Sequence, residues 1–396
     1  MQLRKEIEDS QSEIANIRQQ LHQNPQTAYE EDFASTMIQT KLDEWGVAYE
    51  TGWAKTGIIA TINGKTNESG KCIGLRGDMD ALDIEEKSGQ TWSSKIKGKM
   101  HACGHDGHTS ILLATAKYLT QTRNFDGTVK LIFQPAEEGR RGAYMMVEEG
   151  LFDKHPMDAV YGLHNWPWLP LGKASLRTGP MMANSDLIYI DIKGVGGHAA
   201  YPHKVKDPLI AACSLVQNLQ SIVSRNIAPQ DQAVISITNL NVGTGAENII
   251  DDSASITGSV RSYTPEMRDH LKNRIDAFCK ACAASYDVDI TFRFDAVIDA
   301  VINSANEAEI AAKALEKVLG EGNVERNGEM SMAGEDFGSF LMAKPGCFIF
   351  LGQGEPDSQD SPHSHGLHSP YYDFNDKAIA IGASWMAELV ESSMPL

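Results

Sequence analysis

Apolar positions along the chain fall into short runs that alternate with helical stripes. Leu3, Ile7, Ile14, Ile17 and Leu21 recur at roughly helical spacing and predict an amphipathic N-terminal helix. The stretch lacks the continuous apolar core of a signal peptide. Runs at 57–62 and 72–75 read as strands. Residues 108–119 read as a helix carrying Leu112, Leu113, Ala116 and Leu119 on its stripe. A strand at 128–133, a short helix at 142–150 and a strand at 159–163 follow. This alternation predicts an α/β layer with a largely parallel sheet.

The pattern then changes. Ile188, Ile190 and Ile192 alternate as on a half-buried strand. Asp207 before Pro208 is a cap with proline at the first helical position, and Leu215, Leu219 and Ile222 continue one face. Two strands follow, at 234–240 and 254–260. Thr264 and Pro265 repeat the cap ahead of a stripe of Met267, Leu271, Ile275, Phe278 and Cys282, and Val288, Ile290, Phe292 and Phe294 alternate again. The order is β-α-β-β-α-β, the ferredoxin-like pattern. Beyond 296 the α/β style returns, with a helix at 307–319, a buried strand at 347–351 and a closing helix at 376–390. The expectation is a discontinuous α/β domain, 1–183 and 297–396, with 184–296 inserted into it.

A length of 396 residues also favours two cores over one. The net charge of −18 repels phosphate backbones and argues against nucleic acid. No apolar run approaches the ~18 residues of a membrane span. Six cysteines spread over this length lack the density of a disulfide scaffold and predict reduced thiols in the cytoplasm.

Polar clusters interrupt the apolar pattern at strand ends. Cys103 and His105 straddle a glycine, and in an extended segment both side chains would face one metal. Glu137 and Glu138 follow the strand at 128–133. As neighbours they would diverge, one binding a cation and the other reaching a water beside it. His164 ends the next strand, and His368 stands in GLHSP far along the chain. Arg76-Gly77-Asp78-Met79-Asp80 puts carboxylates at another strand end, where they would orient ligands. Taken singly, each cluster reads equally as a solvated loop or cap.

RGDMDAL, HACGHDGHT, PAEEG, GLHNWP, GGHAAYPH, AGEDF and LHSPYYDF occur in an order that resembles the amidohydrolase branch of the peptidase M20 family, which includes hippurate hydrolases and hydrolases of auxin–amino acid conjugates. The likeness runs from LHQNP near His22 to the C-terminal helix. It implies a two-metal catalytic α/β domain with an inserted lid that often mediates dimerisation. The protein would then be a homodimer or higher homo-oligomer that hydrolyses a small N-acyl amino acid. Cys103, His105, Glu138, His164 and His368 match the metal ligands, Glu137 the general base and Asp78 a carboxylate behind the ligands. His198 matches a lid group that meets the substrate carbonyl, in cis or from a partner subunit. Asn248 and Arg261 match contacts to the substrate's polar end. His101 and His108 read as structural, and His363 and His365 as surface residues. Two divalent ions are implied; the cysteine favours zinc, with cobalt, nickel and manganese open.

The chain departs from the family at Gln26, usually glutamate, and at Asp83, usually proline, which would alter a loop beside the metals. Trp166 and Trp168 suit an aromatic or apolar acyl group, or simply core packing. Competing readings are a dipeptidase or carboxypeptidase of the same fold, a non-catalytic metal-binding relative, and a hydrolase using Cys103 as nucleophile.

Overall fold

The computed structural model describes residues 1–355 and 361–396. They form two compact units, one of 1–181, 302–329 and 336–396, the other of 182–301 and 330–335. The return segment at 330–335 carries no periodic signal that would have assigned it to the second unit.

In the first unit, helix α1 (Lys5–Gln23) buries Ile7, Ile14, Ile17 and Leu21, the stripe read from the sequence. Strands β1 (Gly57–Asn63) and β2 (Cys72–Asp78), helix α2 (His105–Thr122), and strands β3 (Thr128–Gln134) and β4 (Ala159–Pro170) follow. The eight-stranded sheet runs in space as Ala48–Trp53, β1, β3, β2, β4, Gly346–Gly354, Ala174–Ser175, Val324–Glu325. Its middle is parallel: β3 with β2, β2 with β4, and β4 with Gly346–Gly354. Strand Gly346–Gly354 is buried at every position, as expected where helices cover both faces of a parallel sheet. Register decides what meets at the carboxyl edge. Asp78 pairs with Gln134, Arg76 with Gly162, and His164 with Phe350. Asp78 and Gln134 end β2 and β3, whereas β4 continues to Pro170, so His164 lies within its strand and not at its end as the sequence suggested; register still brings the three to the edge where open α/β sheets hold ligands.

The second unit comprises β5 (Ser185–Lys193), α3 (Pro208–Arg225), β6 (Ala233–Val242), β7 (Ser253–Ser262), α4 (Pro265–Tyr286) and β8 (Asp289–Ile298). The sheet order β6-β7-β5-β8, antiparallel throughout, is ferredoxin-like. Both caps form as read: Asp207 accepts from the N–H groups of Leu209 and Ile210, and the Thr264 hydroxyl accepts from Met267 N–H. Ile188, Ile190 and Ile192 pack against Leu215, Leu219, Ile222, Leu271 and Ile275 in a separate core.

Asp186 at the base of β5 is fully buried, with Arg268 Nε 3.1 Å away. Burial, only partly opposed by Arg268, pushes its carboxyl from 3.8 up to about 6. The folded unit therefore binds this proton more tightly than the unfolded chain does. Its stabilising contribution is full below 3.8 and is lost as pH rises through about 6. In guanidinium unfolding of metal-free protein, Asp186→Asn should gain on the wild type by about 2 kcal/mol between roughly pH 4 and pH 7. An unchanged gap would show that the buried carboxylate is fully compensated.

Candidate metal centre

Gly104 stands between the two expected ligands at the head of α2 in a left-handed conformation, φ 92° and ψ 16°. A Cβ there would lie 2.4 Å from Asn165 Oδ1 and 2.5 Å from the Tyr372 hydroxyl, so glycine is required both for its conformation and for space. Cys103 and His105 therefore do not lie on an extended segment, as the sequence suggested. The left-handed turn and the start of the helix aim both side chains inward.

Two imidazoles are held in defined tautomers. His164 Nδ1 lies 2.8 Å from the Asn165 carbonyl, which only accepts, so Nδ1 carries the proton and the Nε2 lone pair faces Cys103 Sγ at 3.4 Å. His105 Nδ1 donates to Asp80 Oδ1 at 3.2 Å, leaving Nε2 buried without a hydrogen-bond partner among the described residues. Asp80 also accepts from Glu138 N–H at 2.9 Å, so one carboxylate orients two candidate ligands.

The glutamates sit on an irregular turn. Ala136 is left-handed (φ 57°), and Glu138 and Gly139 depart from helical angles. Glu137 and Glu138 consequently converge on His105, each offering an oxygen within 4.8 Å of the other ligand atoms. The divergence expected of neighbouring side chains does not occur, because the backbone between them is not regular. His368 (φ 63°) is pinned by its N–H to the Ala102 carbonyl at 2.8 Å and brings Nε2 to 3.3 Å from Glu138 Oε1. Ligand-type atoms of Cys103, His105 and His164, and of Cys103, Glu138 and His368, form overlapping groups within 4.8 Å. All five residues matched as ligands, and Glu137, thus meet in one cluster.

The electrostatics fit divalent cations. Burial, then the charges of Glu138, Glu137 and Asp78, hold the Cys103 thiol well above its usual value. Burial lowers His105, but Asp78, Asp80 and Glu138 outweigh it and lift the ring to about 10. The cluster has more carboxylates than nearby cations, and a divalent metal ion would supply the missing charge. Asp78 is likewise resisted by burial, yet Arg76, His105 and His108 hold it well below the carboxylate range. His108 is clamped, with Nδ1 2.6 Å from Asp78 Oδ1 and Nε2 2.7 Å from Asn165 Oδ1. Burial pushes His101 down to about 4, so it is neutral. His363 leans on Asp373 at 3.6 Å and His365 is exposed.

In the second unit, His198 pairs with Ile249, and Ala199 N–H donates to the Asn248 carbonyl at 3.0 Å, which makes His198 and Asn248 neighbours. Ala200 N–H donates to His198 Nδ1 at 3.1 Å, leaving the ring proton on Nε2. Arg261 is half-buried on β7 opposite Val234. Neither departure is among the clustered ligand-type residues, although the Gln26 carbonyl accepts from Ala81 N–H at 2.8 Å, next to Asp80. Gln26 Oε1 accepts from Phe33 N–H at 2.6 Å, a role any carbonyl oxygen fills. The side chain of Asp83 is 79% exposed, and its loop is tied down by Leu82 pairing with Met100.

Residues 74–392 match the profile of Peptidase family M20/M25/M40. The chain belongs to this family. It is 42% identical to the hippurate hydrolase of Campylobacter jejuni over 98% of both chains. It is 35% identical to an N-acetylcysteine deacetylase of Bacillus subtilis over 95% of both. A Bacillus subtilis dinuclear metal-binding peptidase of the M20 family superposes with a TM-score of 0.84 at 31% identity, covering 98% of this chain and 99% of that one. Sequence reasoning placed Asp80 with Asp78 among the RGDMD carboxylates that would orient ligands, and Asp80 does contact His105 and Glu138. It gave no role to Arg76 or Asn165, and Asn165 had no signal beyond its place after His164.

For this M20 chain, Asp80→Ala should weaken divalent-metal affinity by about ten- to hundredfold while the fold persists. Titration calorimetry on metal-free protein reads this directly. Unaltered affinity would mean that His105 and Glu138 are oriented without Asp80.

Proposed function

We infer that the protein is a metal-dependent amidohydrolase that cleaves N-acyl amino acids into a carboxylic acid and a free amino acid. The observation that carries the reading is the convergence of Glu137 on the buried His105 and the partly buried Glu138, beside Cys103, His164 and His368. The names of the similar proteins, a hippurate hydrolase and an N-acetylcysteine deacetylase, support the substrate class. Cys103, His105, Glu138, His164 and His368 would hold two divalent ions, which would supply Lewis acidity toward the amide carbonyl and acidify water.

Glu137 is the general base. Its Oε1 accepts from Asp336 N–H at 3.3 Å, which orients the carboxylate to take a proton from the attacking water and return it to the leaving amine. The reading of Cys103 as nucleophile needs a stabilised thiolate, and its surroundings act in the opposite direction. Trp166 stacks on Phe350 at 3.9 Å, and Trp168, 58% exposed, packs edge-on against Trp166. Both share the strand face of His164, an apolar surface suited to an aromatic acyl group. The roles of His198 toward the oxyanion and of Asn248 and Arg261 toward the substrate carboxylate rest on the motif resemblance, as does dimerisation through the second unit. A cytoplasmic location is consistent with six unpaired cysteines.

The test is benzoate release from N-benzoylglycine beside a panel of N-acetyl amino acids and dipeptides. Activity should be abolished by chelation and restored by divalent ions; silence on acyl substrates with turnover of dipeptides would overturn the substrate class. Glu137→Gln should lower kcat by roughly 10²–10⁴-fold with metals retained. Near-normal turnover of that variant would remove Glu137 from the mechanism.

A further inference from the structure

Glu31 is a fully buried carboxylate, and no cation pairs with it among the described residues. Its partners come from three separate segments. Oε1 accepts from Tyr29 N–H at 3.0 Å and from Ala136 N–H at 2.9 Å, while Oε2 accepts from the Thr56 hydroxyl at 2.6 Å. Burying a carboxylate without a counter-ion is unfavourable, and an apolar residue would fill the volume without that penalty. What an apolar residue cannot do is accept the Ala136 N–H.

Ala136 is the residue immediately before Glu137, and it is held left-handed, a conformation disfavoured by any side chain with a Cβ. Its carbonyl accepts from Gly142 N–H at 2.9 Å. Gly142 packs so closely that a Cβ would lie 1.7 Å from the Pro135 oxygen. Ala136 is thus gripped at both its N–H and its carbonyl, and the turn that makes Glu137 and Glu138 converge is the one so gripped.

We propose that Glu31 is a positioning residue for Glu137: by accepting the Ala136 N–H it locks the left-handed turn that aims the Glu137 carboxylate at the reacting water. This rests on the reading of Glu137 as general base. Glutamine at 31 keeps every contact, because its amide oxygen accepts both backbone N–H groups and its amide nitrogen donates to the Thr56 hydroxyl. Alanine keeps none.

The experiment compares Glu31→Ala, Glu31→Gln and Glu137→Gln as metal-loaded proteins on N-benzoylglycine, with amide hydrogen exchange on the metal-free proteins. Glu31→Ala should lose about ten- to hundredfold in kcat with little change in KM or metal content, and the Ala136 amide should lose its protection. Glu31→Gln should stay within about threefold of the wild type, keep the acid limb of its pH profile in place and keep Ala136 protected. Wild-type kcat in Glu31→Ala, or an Ala136 amide as protected as before, overturns the proposal. So does a Glu31→Gln variant as impaired as the alanine, which would mean that charge and not acceptance matters. If Glu31→Ala does not fold, Glu31→Asp, one methylene shorter, must show the same loss of kcat and of Ala136 protection, and undiminished kcat there is equally fatal. Inactive Glu137→Gln with fully active Glu31→Ala refutes only the positioning role. Active Glu137→Gln refutes the base itself.

Discussion

A guanidinium with no exposure at all ties the sheet to the site. Arg76 donates through Nε to Gln134 Oε1 at 2.8 Å, pairs through one terminal nitrogen with Asp78 at 2.7 Å, and lies 3.4 Å from Asp336 with the other. Gln134 closes the circuit by donating to the same Asp336 oxygen at 2.7 Å, and Asp336 accepts from Ala143 N–H at 2.9 Å. Such a charge is tolerable in a low-dielectric interior only while every partner is present; stripping one from a buried pair typically costs about 3–5 kcal/mol. The strand ends of β2 and β3 and the segment entering helix Phe337–Ala343 are therefore fixed to one another. Asp336 passes that constraint on, since its own N–H grips the Glu137 carboxylate.

Around that anchor the chain gathers anions faster than cations. Asp78, Asp80, Glu137 and Glu138 crowd two imidazoles whose protons are already committed outward, to Asp80 and to a backbone carbonyl. The other ring nitrogens turn into the cluster, His164 Nε2 to 3.4 Å from Cys103 Sγ and His105 Nε2 to 3.6 Å from Asp78 Oδ2. In water such an arrangement would relax; here strand register and two left-handed residues, Gly104 and Ala136, prevent it. The site is stable as a cation receptor because the fold, and not the ligands' mutual affinity, holds like charges together. A metal ion bound there would offset that crowding, the usual coupling between metal affinity and folding.

Much of this was legible from the residues alone. The helical stripe of α1, the alternation in β5, the caps at Asp207 and Thr264 and the ferredoxin-like order all rest on local periodicity, and local periodicity reports which face of an element is buried. The candidate ligands were legible for a different reason: His, Cys and paired glutamates at strand ends are rare in combination, and their order along the chain matched a family. Where sequence reasoning went astray, it had assumed regular backbone. An extended segment was one way for Cys103 and His105 to share a face, and Glu137 and Glu138 were expected to diverge; the backbone instead turns at residues with positive φ, Gly104 and Ala136.

The sequence by itself therefore determined the elements, the inserted unit and the chemical types at the site, because each of these is written in spacing over a few residues. Only the tertiary structure decided which buried polar groups meet. Arg76 with Asp336, Asp80 with Glu138, Glu31 with Ala136, and residues 330–335 with the second unit are all contacts across long stretches of chain. A single aspartate or glutamate in a loop has no periodic signature. Its partner is chosen by strand register and by the requirement that a buried charge or N–H be satisfied, and that requirement acts only once the chain is folded.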